Sequence, residues 1–201
     1  MLELAILGLL KEKPMHGYEL KKRLTFMLGH FWTVSYGSLY PALKRLEKAK
    51  AIERAYSVKE KTRTRNVYRI TKAGEAEFMR VLADTVTDNS VADTEKFDIR
   101  LAFFGYLEPE TRISILEKRR RLLEQQTESF KAYRSKNKDD DLYRTGLLHH
   151  KAEQARGDIR WLDRLIAQER ETIQKREAEA PVKLHAEEEG KAQRLTAMSG
   201  A

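Results

Sequence analysis

Residues 35–74 contain the sequence pattern that most restricts the folds open to this chain. The run SYGSLYPALKRLEKAK begins with Ser35, a residue that favours the start of a helix. Leu39, Leu43 and Leu46 then recur at helical spacing and predict a buried face. A second face carries aromatic and basic side chains at every fourth position: Tyr36, Tyr40, Lys44 and Lys48. The pattern therefore predicts an amphipathic helix with a basic, aromatic outer stripe.

Two strand-like stretches follow this helix, at residues 52–58 and 66–70. The hydrophilic segment between them carries four basic side chains: Lys59, Lys61, Arg63 and Arg65. A helix with a basic outer stripe followed by a basic hairpin is typical of a winged helix-turn-helix domain. In such a domain the helix enters the major groove of DNA, while the hairpin reaches the backbone or the minor groove beside it.

The charge of the chain is distributed unevenly between its two halves. Residues 1–84 contain 17 Lys or Arg and 9 Asp or Glu, whereas residues 85–201 contain 22 of each. The whole positive excess of +8 therefore lies in the half that contains the predicted DNA-reading helix. Such a concentration of positive charge is what binding to phosphate groups requires.

Two helices are predicted before this pattern. The first, at about residues 2–11, is apolar on nearly every side, so we expect part of it to be buried against the C-terminal half or a partner subunit. Its apolar run lacks a basic flank and a cleavage site, so we expect a buried helix rather than a signal peptide. The second helix, at about residues 16–28, carries Lys21 and Lys22 on its more exposed side.

The N-terminal domain is predicted to end near residue 84. Thr71 is a favourable N-cap for a helix at about residues 72–84. Residues 85–94 lack apolar periodicity and indicate a linker. The expected organisation is a DNA-binding domain at 1–84, a linker at 85–94, a helical dimerisation domain at 95–178 and a flexible tail at 179–201.

The second half is predicted to be helical, with a short helix at about residues 95–105, a long one from Pro109 to about residue 135 and another from about residue 139 to 178. Apolar or small residues in the last helix step by three and four positions for most of its length: Leu148, Ala152, Ala155, Ile159, Leu162, Ile166 and Ile173. This is the spacing of a coiled-coil seam. Because one chain offers only one other helix of comparable length, we expect these residues to form the interface of a homodimer.

Composition and motifs argue against several other classes of protein. The chain contains no cysteine, which excludes disulfides, thiolate metal sites and cysteine nucleophiles and fits a cytoplasmic location. No apolar run is long enough to span a membrane. The adjacent His149 and His150 would point in different directions on a helix, so we expect neither a metal nor a cofactor. No constellation of residues typical of catalysis is present, and we do not expect an enzyme.

Three segments resemble the PadR family of bacterial transcriptional regulators: LGLLKEKPMHGYEL, GSLYPALKRLEKAKAI and RNVYRITKAGE. They lie within about residues 4–75, and their order and spacing are specific. The resemblance implies a winged helix-turn-helix followed by helices that dimerise the protein, and repression that a small aromatic or xenobiotic ligand relieves. The long second half is similar to a larger subgroup that also includes virulence-gene activators. The hairpin, VKEKTRTRNV, departs from the family because it lacks the Gly or Pro often present at the tip.

We therefore predict a mainly α-helical winged helix-turn-helix protein, with a two-stranded wing and a coiled-coil-like dimerisation domain, that represses transcription from a pseudo-palindromic operator. Two alternatives remain open at this point: an activator without a small-molecule inducer, and a winged-helix module that binds protein. The residues predicted to contact DNA are Tyr36, Ser38, Tyr40, Lys44 and Lys48 on the recognition helix, Lys21 and Lys22 on the helix before it, and Arg63 and Arg65 in the hairpin.

A small aromatic effector would need a site lined by aromatic side chains. Trp161, Phe103 and Phe104 are the candidates, although ordinary core packing is the favoured explanation of these side chains.

Overall fold

The computed structural model describes residues 1–27, 34–60, 63–84, 91–136 and 141–198, with side chains throughout except at 58–60, 63–65 and 179–198. The chain forms two compact units, Met1–Glu108 and Pro109–Ala201, here called the N-terminal and C-terminal units. Their main elements are α1 (Leu2–Glu12), β1 (Met15–His16), α2 (Gly17–Met27), α3 (Tyr36–Lys48), β2 (Ile52–Glu60), β3 (Arg63–Ile70), α4 (Lys72–Ala83), α5 (Thr94–Leu101), a 3-10 helix (Phe104–Tyr106), α6 (Pro109–Lys136) and α7 (Leu142–Met198). The mainly helical architecture with one small sheet confirms the predicted fold class.

The apolar helix α1 forms the core of the N-terminal unit. Every residue from Leu4 to Leu10 is buried. The helix contacts α2, α3, α4, α5 and β3, all of which belong to the same unit. Of these, only α5 comes from the half of the sequence that we expected to cover α1, and no partner subunit is needed to bury it.

The sheet of the N-terminal unit is antiparallel, with the strand order β1–β3–β2. The hairpin of β2 and β3 pairs from Ile52 with Ile70 to Glu60 with Arg63, so both strands are longer than predicted. The short strand β1 adds Met15 to the other edge of β3 and buries its side chain. A strand of two residues carries no periodicity, and it was not predicted.

Side-chain caps fix the starts of the two helices that flank the hairpin. The hydroxyl of Ser35 accepts a hydrogen bond from the N–H of Ser38 at 3.1 Å, and that of Thr71 accepts one from the N–H of Gly74 at 3.0 Å. The predicted N-cap at Thr71 is confirmed. A Cβ atom on Gly74 would lie 1.9 Å from the carbonyl oxygen of Ala51, so α4 approaches the turn after α3 too closely for a larger residue.

A buried arginine attaches α5 to the end of α4. The side chain of Arg100 is fully buried, and its guanidinium donates to the carbonyl of Leu82 at 2.8 and 2.6 Å and to that of Asp84. The C-terminal end of a helix leaves carbonyl groups without helical partners and favours a positive charge. Arg100 supplies both the donors and the charge.

The residues after α5 complete the packing of the N-terminal unit. The ring of Phe103 lies against α1, where a Cβ atom on Gly8 would come within 2.3 Å of it. This contact and that of Arg100 place residues 91–108 with the N-terminal unit. The division of the structure after Glu108 therefore lies later in the chain than the linker predicted at 85–94.

The C-terminal unit consists of the antiparallel helices α6 and α7. Asp141 caps α7 by accepting hydrogen bonds from the N–H groups of Tyr143 and Arg144 at 2.9 and 3.2 Å. Ion pairs join the helices, among them Arg112 with Glu169 at 3.0 Å, Arg120 with Asp163 at 3.0 Å, and Arg170 with Glu117 at 2.8 Å. The helix α7 continues to Met198, beyond the residue 178 at which the apolar pattern ends.

The seam predicted on α7 is covered within the single chain. Four of its residues are buried and three are half-buried: Ala152, Ala155, Leu162 and Ile166 in the first group, and Leu148, Ile159 and Ile173 in the second. From the seam we predicted that a second chain would cover these residues. Because α6 and α7 contact each other extensively, α6 covers them instead. The apolar spacing of α7 is thus explained without a dimer.

Candidate nucleic-acid interface

The helix α3 buries one face and exposes the predicted recognition stripe. Its buried side chains are Leu39, Ala42, Leu43 and Leu46. All five residues predicted to contact DNA from this helix are exposed: Tyr36, Ser38, Tyr40, Lys44 and Lys48. The leucine spacing therefore orients the helix as the sequence predicted, and the outer stripe is available to a ligand.

Tyr36 and Tyr40 form a stacked pair on this stripe, here called the tyrosine pair. Their ring centroids lie 6.0 Å apart with an interplanar angle of 25°, and the residues remain 41% and 46% exposed. The helix α2 contacts both rings. The ammonium nitrogen of Lys21 lies 4.1 Å from the centroid of the Tyr36 ring, and the hydroxyl end of Tyr40 lies over Gly17. The structure thus brings Lys21 together with the tyrosine pair, a contact that sequence spacing does not reveal.

The residue that caps α3 is Ser35, and Ser38 is one turn inside the helix. The hydroxyl of Ser38 donates to the carbonyl of Ser35 at 3.0 Å and lies 3.2 Å from the hydroxyl of Ser35. Both serines are exposed at the N-terminal end of α3. This end presents N–H groups and a partial positive charge, which suits a phosphate oxygen.

The arginines on and near α3 form ion pairs, whereas the lysines of α3 form none with the described side chains. Arg45 pairs with Glu3 at 2.7 Å, and Arg54 pairs with Glu47 at 2.8 Å. The hydrogen bond to Glu47 raises the pKa of Arg54. Lys44 and Lys48 form no ion pair with any described side chain, so their charges are not neutralised within the described part of the chain.

The wing hairpin carries the basic residues that follow α3 in the sequence. Its base is joined by Arg69 and Glu53 at 2.5 Å and by a hydrogen bond from the hydroxyl of Ser57 to Asn66 at 3.0 Å. The predicted contacts Arg63 and Arg65 have side chains outside the described part of the structure. The backbone pairing of β2 and β3 places both arginines on the distal part of the hairpin.

The aromatic residues predicted to bind a ligand do not share a site in either unit. Phe103 and Phe104 are buried in the N-terminal unit, where Phe103 packs edge to face against Phe78 at 5.7 Å. Trp161 lies in the C-terminal unit and is 37% exposed. A cavity of about 50 Å³ between α6 and α7 is lined by other side chains, among them Phe130. Packing accounts for both phenylalanines.

Within the described ranges no group of histidine and acidic side chains is arranged to hold a metal ion. His149 and His150 are both exposed on α7, whereas His16 accepts a hydrogen bond from the N–H of Glu19 at 3.1 Å near the start of α2. None of the described helices has the length and apolar content needed to cross a membrane.

The sequence matches two family models. The model of the Transcriptional regulator PadR-like family matches residues 6–80, and that of the Virulence activator alpha C-term family matches residues 95–170. The first range runs from α1 into α4, and the second begins within α5. Residues 95–108 therefore belong to the second family model but pack with the N-terminal unit.

Curated relatives and solved structures resemble the chain at low identity. A probable transcriptional regulator of Mycobacterium tuberculosis is 27% identical over 107 residues, which are 50% of this chain and 57% of the relative. The negative transcriptional regulator PadR of Bacillus subtilis is 30% identical over 77 residues, 38% of this chain and 42% of the relative. The chain thus spans about half the length of these relatives. The crystal structure of Bacillus subtilis PadR in complex with operator DNA is 20% identical, covers 84% of this chain and 98% of that chain, and has a TM-score of 0.39.

Proposed function

The chain belongs to the PadR-like family of transcriptional regulators, and on this premise we propose that it binds operator DNA as a homodimer through the exposed face of α3. In this arrangement the two copies of α3 would enter successive major grooves about one helical turn apart. The exposed Lys22 of α2 and the basic side chains of the wing would contact phosphate groups and fix the register.

The observation that carries the proposal is the outer face of α3. It combines Lys44 and Lys48, which no described acidic side chain neutralises, with the exposed tyrosine pair. Ordinary surface helices pair many of their charges, as Arg45 and Glu3 do here. Unpaired cations beside exposed rings fit a polyanion whose grooves offer both phosphates and base edges.

A homodimer would need a surface other than the buried seam. The first turns of α7 carry exposed apolar side chains: Leu142 at 78%, Tyr143 at 83% and Leu147 at 57% exposed. Contiguous apolar groups of this kind are typical of surfaces that bind another protein. We place the dimer contact here, and the members of the predicted seam act indirectly by holding α7 against α6.

The sign of regulation has two candidates. The similarity to a negative transcriptional regulator over 77 residues supports repression. The match of residues 95–170 to a virulence activator model supports activation instead. A reporter fused to the promoter of the protein's own gene, measured with and without that gene, separates the two: expression rises on deletion of a repressor and falls on deletion of an activator.

The aromatic effector implied by the family stays a prediction. An effector can change DNA binding only if it prefers one arrangement of the protein over another. Titration of candidate phenolic acids into the protein–DNA complex tests it, and unchanged DNA affinity at saturating concentrations would leave repression or activation without a small-molecule signal.

DNA binding itself is tested by removing the two free cations of α3. We expect Lys44→Ala combined with Lys48→Ala to reduce affinity for a selected operator duplex by about tenfold or more, because each lost contact to phosphate or base weakens binding. The control is Lys131→Ala combined with Lys175→Ala, which removes the same charge from the C-terminal unit. Equal affinities of the two double variants would contradict a role for α3 and favour a protein-binding module.

A further inference from the structure

The tyrosine pair is held in place while it stays exposed, which is unusual for surface side chains. An exposed tyrosine normally moves among several rotamers, and binding must then order it at an entropic cost. Here Tyr36 is in contact with both Tyr40 and the ammonium group of Lys21. The rings therefore approach a ligand already ordered.

Gly17 provides the space for the second ring. A Cβ atom at this position would lie 3.3 Å from the hydroxyl oxygen of Tyr40 and 3.4 Å from two of its ring carbons. The contact to the hydroxyl is at the tight end of normal packing, so a side chain at position 17 would displace the ring by a few tenths of an ångström. Gly17 is also buried as the first residue of α2, so this helix start bounds the Tyr40 ring on its inner side.

Two consecutive lysines of α2 differ in what they contact. Lys21 is half-buried with its ammonium group over the Tyr36 ring, an arrangement in which a cation is attracted to the ring face. Lys22 is exposed and lies on the rim of a groove with Tyr18 and Phe26. Lys21 thus contacts the tyrosine pair, whereas Lys22, the next residue, is open to solvent.

We propose that the tyrosine pair reads thymine methyl groups in the major groove, and that Lys21 and Gly17 are positioning residues for its rings. Thymine is the base that presents an apolar group in this groove, and an aromatic ring is a suitable partner for it. The ring spacing of 6.0 Å corresponds to about two base-pair steps of roughly 3.4 Å, so we expect two thymines close together in each half-site. The inference rests on the proposed function, because it requires α3 to enter the groove.

The first test removes the methyl groups from the DNA. A duplex selected by the wild-type protein from a random-sequence library is synthesised with each thymine replaced singly by deoxyuridine. We expect about a fourfold loss of affinity at each contacted position, the effect of one buried methyl group. Tyr36→Ala or Tyr40→Ala should abolish the loss at one position and keep it at the other. Full affinity with uracil at every thymine would overturn the proposal.

The second test separates positioning from phosphate contact. A lysine that binds phosphate contributes about one unit to the slope of log affinity against log salt concentration. We expect Lys22→Ala to lower this slope while leaving the ratio of selected to random-duplex affinity unchanged. Lys21→Ala should lower the ratio by about threefold or more and keep the slope. Lys21→Arg should restore the ratio, since a guanidinium also binds the ring face.

The outcomes distinguish this proposal from the proposed function. If the wild-type protein binds selected and random duplexes equally, the proposed function itself fails. If it binds the selected duplex specifically but tolerates uracil, or if Lys21→Ala behaves as Lys22→Ala does, only the reading by the tyrosine pair fails. Gly17→Ala gives an independent check: circular dichroism should show a folded protein, and the uracil effect at the Tyr40 position should shrink. An unchanged effect would contradict the role of Gly17.

Discussion

The two units of the molecule are stabilised by different kinds of contact. In the N-terminal unit short elements surround α1, and backbone or ring atoms approach Gly8 and Gly74 so closely that no other side chain fits without a shift. In the C-terminal unit two long helices share one seam, and charged pairs such as Arg112 with Glu169 join them at the side.

This difference indicates which changes each unit tolerates. Close packing around α1 ties the position of α3 to the volume of distant core residues, because interiors relax only partially when a side chain changes size. A helix pair with many solvated side chains depends less on any single contact. We therefore expect substitutions of equal size to cost more in the N-terminal unit, and salt to matter more for the contacts within the C-terminal unit.

The largest effect is expected from Phe78→Ala. Phe78 is fully buried, and its ring packs edge to face against Phe103 at 5.7 Å and Tyr106 at 5.4 Å. Its removal should lower the free energy of unfolding of the N-terminal unit by about 3–5 kcal/mol, the usual cost of such a cavity. Hydrogen exchange of the backbone amides of the buried helix α1, followed across a denaturant series, reports on this unit alone.

Tyr133→Ala serves as the control for this prediction. Tyr133 is 43% exposed on α6, so the cost to the C-terminal unit should be under about 1 kcal/mol. Trp161 reports on that unit when Trp32 is replaced by Phe. Equal losses in the two units would show that packing does not distinguish them.

A smaller effect on the free energy of unfolding is expected from Gly8→Ala, and the sign of this effect tests the packing of Phe103. Helix propensity alone favours alanine by about 1 kcal/mol. The Cβ atom, however, would lie 2.3 Å from the ring of Phe103, so we expect a net loss of about 1–3 kcal/mol. At Gly105 a Cβ atom meets nothing within 4 Å, and Gly105→Ala should be neutral or slightly stabilising. Stabilisation by both substitutions would contradict the close approach of Phe103 to α1.

The elements that sequence predicted correctly are those specified by their own neighbours. Thr71 indicates the start of α4 because its hydroxyl accepts a hydrogen bond from the N–H three residues later. The leucines of α3 define a buried face by their spacing alone. By contrast, β1 exists only because Met15 pairs with Tyr68, far along the chain, and local pattern contains no sign of that pairing.

The same limit applies to the candidate site. The spacing of Tyr36 and Tyr40 placed both rings on one face, and the structure stacks them. That Lys21 reaches Tyr36, whereas Lys22 does not, depends on how α2 crosses α3 and was not predictable from adjacent lysines. Gly17 was missed altogether, although a glycine opening a helix is a signal of close approach. Arg100 was overlooked because charged residues are seldom buried unless acceptors such as the carbonyls of α4 meet them.

The ion pairs of the C-terminal unit should contribute modestly and according to their exposure. The side chains of Arg112 and Glu169 are 21% and 22% exposed, and we expect Arg112→Ala to cost about 1 kcal/mol. The side chain of Arg170 is 61% exposed, and Arg170→Ala should cost under about 0.5 kcal/mol. Both costs, measured through Trp161 unfolding, should shrink at high salt. Losses that do not depend on salt would assign the effect to packing of the arginine stems.

The smallest expected effect is a difference in how the two units respond to acid. A hydrogen bond from Lys13 lowers the pKa of Glu19, one from Arg80 lowers that of Glu77, and the N–H of Lys96 lowers that of Asp93, all in the N-terminal unit. In the C-terminal unit, a hydrogen bond from Lys175 lowers the pKa of Glu171.

A carboxyl whose pKa is lower in the folded than in the unfolded state stabilises the fold above its ordinary value, and this contribution is lost as the pH falls through the folded pKa. Between pH 6 and pH 3 the N-terminal unit should therefore lose more stability than the C-terminal unit, by less than about 1 kcal/mol because these groups are well solvated. Unfolding midpoints at each pH, read from hydrogen exchange of α1 and from the fluorescence of Trp161 in a Trp32→Phe background, measure the difference. Glu19→Gln should reduce it, since glutamine does not titrate, and midpoints that fall in parallel for both units would show that these hydrogen bonds contribute nothing to the contrast.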